Sequence, residues 1–99
     1  MERTMSRAAA GARFAREMRG KYGDHTVVLF RAGDFYKVYD DDATTVSRAT
    51  GLSVSIIDGV RCVQFPRHGL DVYLPMMVRR GHRIAITDER DDYQAQANL

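Results

Sequence analysis

Alternating helical and extended periods in this 99-residue sequence predict an α+β fold, a mixed and partly antiparallel sheet flanked by about three helices. Three observations carry that expectation. An alanine-rich segment near the N-terminus repeats small apolar residues every three or four positions. Two β-branched and aromatic runs flank the dipeptide Asp58-Gly59. A second apolar stripe of helical period, within residues 66–81, leads directly into a short strand pattern.

Taken in order, residues 5–21 predict a helix, with Ala8, Ala12, Ala15, Met18 and Tyr22 on its inner stripe and Gly23 at its C-terminal stop. The run Thr26–Ala32 (TVVLFRA) has strand length and strand composition. Gly33-Asp34 signals a turn, and Phe35–Tyr39 (FYKVY) reads as a second, short strand. Asp40, Asp41 and Asp42 precede a helical stretch ending at Gly51; the cluster is read as helix capping and a favourable dipole interaction, not as a metal site. In LSVSI-IDGV-RCVQF, Asp58-Gly59 predicts a type I′ hairpin pairing Ile57 with Val60, with Cys62 inert and buried. The stretch PRHGLDVYLPMMVRRG predicts a helix with Leu70, Tyr73, Leu74, Met77 and Val78 as its apolar stripe, kinked or restarted at Pro75. HRIAITDE closes the sheet, leaving residues 91–99 as a polar tail on a single domain of about residues 5–90.

Composition narrows the function. Hydrophobic content of 44% suffices for one modest core, and a net charge of +2 marks an ordinary soluble chain. The charge is uneven: residues 1–37 hold eight Arg/Lys against four Asp/Glu, whereas residues 38–99 hold seven against nine. An anionic partner is therefore expected at the N-terminal end, unless the arginines merely solvate a helix face. One cysteine excludes an internal disulfide and a CxxC metal motif. The N-terminus lacks the apolar core of a secretory signal and no run is long enough to span a membrane, so cytoplasmic residence is expected.

Catalytic signatures are absent from the sequence. There is no phosphate-cradling GxxxxGK[ST], no GxGxxG, no HExxH and no GxSxG, and the carboxylates around Lys37 have the wrong spacing for a metal-dependent nuclease. The chain is read as a non-enzyme that needs no cofactor or metal and binds no nucleotide. What remains is FYK. Strand alternation puts Phe35, Lys37 and Tyr39 on one face and Tyr36 and Val38 on the other. A lysine on Phe35's own face fits either an exposed stacking residue backed by a cation, or a buried phenylalanine with lysine at the rim.

FRAGDFYKVYDDDATTVSRATGLSVS resembles the FRxGDFYExFxxDAxxxSRxLGIxLT block of the N-terminal mismatch-recognition domain of the MutS DNA mismatch-repair family. QFPRHGLDVYLPMMVRRGHRIAITDERDD resembles that family's GVPxHAxxxYLxxLVxxGYKVAICEQxED, in the right order, so the likeness covers roughly residues 14–92. The resemblance implies a mixed sheet with flanking helices and a minor-groove Phe-x-Glu reading motif. In this chain the stacking Phe corresponds to Phe35 and the Glu to Lys37. A carboxylate accepts hydrogen bonds from a base and repels phosphate; a lysine only donates and attracts every phosphate alike. The expected function is thus duplex DNA binding, mispaired or fully paired, with blunted mispair discrimination. Phe35, Lys37, Arg31, Tyr36 and Arg67 are the candidate contacts. The alternative is a protein-interaction or regulatory module that keeps the fold without touching DNA. The family's other domains lie outside these 99 residues, which implies a free-standing module or a piece of a longer protein.

Overall fold

Ser6 opens the first helix: its hydroxyl accepts the Ala9 N–H at 3.1 Å, and α1 runs Arg7–Tyr22. These coordinates come from a computed structural model that describes residues 5–89. Alanine matters on α1 because it is small. Ala8, Ala12 and Ala15 are buried, and a Cβ on Gly11 would lie 2.7 Å from the Tyr39 ring, so the helix lies close against the sheet. Tyr22 is no part of this stripe, contrary to its spacing; in the last turn before Gly23 it lies 53% exposed.

The sheet order is β3-β4-β2-β1-β5. Next to its β5 edge lies β1 (Thr26–Ala32), antiparallel to the central strand β2 (Phe35–Tyr39) and parallel to β5 (Arg83–Asp88). Thr26 to Phe30 are all buried, which explains a run of apolar residues without alternation: both faces are covered. β2 also pairs with β4 (Val60–Pro66), and β4 with the edge strand β3 (Ser55–Ile57). Ile57 faces Val60 across Asp58 (φ 51°) and Gly59 (φ 78°), the two positive φ values of the expected I′ turn. β3 is shorter than the LSVSI run implies: it pairs at three positions only, while Leu52 turns to the core.

α1 covers one face, packing on Val28, Phe30, Tyr39 and Cys62. α2 (Asp41–Thr50) and α3 (Leu70–Arg79) cover the other, over Val27, Leu29, Tyr36, Val38, Val63 and Phe65. Cys62 is buried, and burial pushes its thiol pKa up, which disfavours the reactive thiolate. A 3₁₀ turn, Arg67–Gly69, occupies the start of the expected third helix. α3 then forms one span through Pro75, with no restart. On this helix Met77 is buried, Leu70, Tyr73 and Leu74 are half-buried, and Val78 points out at 54% exposure, off the predicted stripe.

The aspartate cluster is not a side-chain cap. Asp40 holds the N-cap position without capping, and accepts instead from Arg61 (3.0 Å) and Arg16 (3.3 Å). Asp41 accepts from Arg61 at 2.9 Å and lies 3.8 Å from Arg19. Asp42, buried, accepts the Val28 N–H at 3.0 Å and the Arg19 guanidinium at 2.5 Å. Only the dipole half of the expectation survives, since Asp41 and Asp42 do lie in the first turn. The cluster's main role is to tie α2 to α1, β1 and β4. The polar tail falls outside the described residues.

Candidate nucleic-acid interface

Phe35 begins β2 immediately after the two-residue Gly33-Asp34 turn, opposite Ala32 on one side and Pro66 on the other. It shares a face with Tyr39, yet the two rings differ sharply. Tyr39 packs against Phe30 at 5.4 Å under α1, while Phe35 is 40% exposed. Arg67 joins Phe35 from the end of β4: its N–H donates to the Asp34 carbonyl at 2.8 Å and its guanidinium to the Gly33 carbonyl at 3.4 Å. Asp34, Phe35, Pro66, Arg67 and His68 line one open hollow.

Lys37 lies one step inward, half-buried between Phe30 of β1 and Gln64 of β4. It makes no ion pair with a described residue and lines a second hollow with Arg7, Tyr39 and Glu89. Glu89 is a group that residue-by-residue reading missed. Its carboxylate is only 4% exposed, accepts the Tyr39 hydroxyl, and lies 3.7 Å from the Arg7 guanidinium. The signal lay in the motif itself: Glu89 stands at the glutamine of the family's CEQ triplet, just as Lys37 stands at the glutamate of FYE.

Two predicted contacts lie elsewhere. Tyr36 is 6% exposed on the opposite face, its ring 5.5 Å from Phe65, and so is a core residue. Arg31, on that same face, donates from Nε to Asp88 at 2.7 Å, and this pairing raises its already high pKa. Phe35, Lys37 and Arg67 are the part of the set that the fold brings together. The basic N-terminal surplus also dissolves on inspection. Arg7 pairs with Glu89, Arg13 with Glu17, Arg16 with Asp40, Arg19 with Asp41 and Asp42, and Arg31 with Asp88. Among the described residues, no group of three His, Cys, Asp or Glu could hold a metal ion, and no helix is long and apolar enough to cross a membrane.

The sequence pattern of MutS domain I matches residues 10–99. The chain belongs to the MutS domain I family. Among its relatives are proteins named DNA mismatch repair protein MutS. The one from Salinibacter ruber is 44% identical over 67% of this chain and 8% of its own length. The one from Phocaeicola vulgatus is 40% identical over 77% and 9%, and the one from Bacteroides fragilis 38% identical over 84% and 10%. The chain thus spans about a tenth or less of the length of these relatives. The three α-helices and five-stranded mixed sheet of the described residues are consistent with MutS domain I.

Proposed function

We propose that this MutS domain I is a non-catalytic, cytoplasmic DNA-binding module that grips duplex DNA at the Phe35 end of its sheet. The supporting observation is the exposure of Phe35, which sits on a rigid strand between two cations, Arg67 and Lys37, while Tyr39 on the same face is buried. A ring so placed can enter a base step and stack, and base–aromatic stacking contributes about 1–3 kcal/mol. The cations attract the flanking phosphates. With Lys37 where a carboxylate would accept from a base, attraction becomes general and preference for a mispair weakens.

The test is fluorescence anisotropy on a paired duplex and on one with a single mispair, at one fixed salt concentration. Phe35→Ala is expected to remove most binding to both. Lys37→Glu is expected to weaken the paired duplex more than the mispaired one. Equal weakening of both by Lys37→Glu would refute the reading of Lys37. No retention of either duplex at low salt would favour the second reading, a protein-interaction module, which the internal pairing of the N-terminal arginines supports.

A further inference from the structure

Once the paired arginines are set aside, cations without an ion pair to a described residue gather in a second place, at the opposite end of the sheet from Phe35. To this end run the last turn of α1 (Lys21), the last turn of α3 with its exit (Arg79, Arg80) and the first residue of β5 (Arg83), one helix from each face of the sheet. The backbone builds this end. Arg83 N–H donates to the His25 carbonyl at 2.9 Å, Thr26 is in register with Arg83, and the rings of His25 and His82 are 6.4 Å apart. The Gly81 and His82 N–H groups close the end of α3 on Val78 and Met77. Lys21, Arg79, Arg80 and Arg83 are all exposed. Within the two segments 21–26 and 79–83 the sole carboxylate is Asp24.

We infer that this end is a second phosphate-contacting surface for duplex DNA, separate from the stacking site. Three of the four cations are arginines, whose planar forks match phosphate oxygens, and exposed Tyr22 adds a hydroxyl donor beside them. Unlike Arg16, Arg19 or Arg31, they lack an internal carboxylate, so a phosphate need displace no existing pair. The seven residues of β1 separate this end from the Phe35 end by about 20 Å, roughly six base-pair rises, so the two surfaces meet different phosphates. The inference rests on the proposed DNA reading for the identity of its ligand, and on nothing else in it.

The experiment measures the salt dependence of binding to a fully paired duplex for Phe35→Ala and three further proteins, each checked for an unchanged thermal midpoint. They are the native chain, Lys21→Gln/Arg79→Gln/Arg80→Gln/Arg83→Gln, and a control that removes two cations elsewhere, Arg13→Gln/Arg48→Gln. The quadruple variant is expected to flatten the slope of log K against log salt by about 2–4, while Phe35→Ala leaves the slope unchanged. A quadruple variant with the native slope, or a control that flattens it as much per charge removed, overturns the inference. If Phe35→Ala has no effect on affinity but the quadruple variant flattens the slope, the stacking proposal fails and this one stands. Should the quadruple variant fail to fold, the four single changes are measured instead, each expected to lower the slope by about 1 at most.

Discussion

The two ends of β2 carry the same kind of residue on the same face and treat it oppositely. At one end Tyr39 is closed in: α1 crosses it at Gly11, Phe30 lies beside it, Glu89 takes its hydroxyl, and Asp40 to Asp42 bind arginines from α1 and β4 next to it. At the other end Phe35 stands beside a turn, 40% exposed, and α1 among the described residues does not cover it. Neither aromatic is more apolar in any way that decides this. Coverage decides it, because α1 begins at Arg7, beside Lys37 and Tyr39, and does not extend over Phe35. An end that is fully packed provides stability, and an end left open is available to a ligand.

The largest effect is expected at the closed end. Tyr39→Ala removes a buried ring and should cost about 3–5 kcal/mol in urea unfolding, enough to threaten folding in a domain of this size. Nearly as telling is Gly11→Ala. Alanine favours helix by about 0.5–1 kcal/mol over glycine, but its Cβ would meet the Tyr39 ring at 2.7 Å, so a net loss of about 1–3 kcal/mol is expected. A gain in stability instead would mean that α1 does not lie against Tyr39.

Asp42→Asn sharpens the closed end by its pH dependence. Burial pushes the Asp42 carboxyl above the ordinary carboxylate range, against the opposing pull of the Val28 N–H and Arg19. A carboxyl raised in the folded state binds its proton more tightly there. Its contribution to stability is therefore complete below the unfolded value and is lost as pH rises through the folded one. Asparagine offers Val28 and Arg19 a single acceptor and does not titrate. A cost of about 1–3 kcal/mol is expected, larger at acid pH than at neutral pH, read from unfolding curves across the carboxylate range.

Phe35→Ala addresses the open end and should change stability by less than about 1 kcal/mol while abolishing most DNA binding. Unfolding of that variant would erase the difference between the ends. The smallest effect is expected from Glu89→Gln. It keeps an acceptor for Tyr39 but withdraws a negative charge from the hollow that Lys37 lines, so duplex affinity should rise by an amount worth less than about 1 kcal/mol, measured by anisotropy at low salt.

Short-range chemistry was legible in the chain. The Asp58-Gly59 turn, the stops at Gly23 and Gly51, the alternation of Phe35 and Lys37 against Tyr36 and Val38, and the order of all the elements follow from preferences acting within a few residues. The family motif added Phe35 and Lys37 as a pair. Tertiary structure alone decided the partners of the charges, since Arg16 meets Asp40 across 24 residues and Arg31 meets Asp88 across 57. It likewise decided that Tyr36 is core, that Tyr22 and Val78 leave their stripes, and that Glu89 enters the hollow beside Lys37. A cation's sign is written in the sequence, but whether it faces a carboxylate or solvent depends on which distant segments the sheet brings side by side. The basic N-terminal surplus was therefore real as a count but mostly spent within the fold, while Lys21, Arg79, Arg80 and Arg83, left over from that pairing, come from helix and strand ends far apart in the chain.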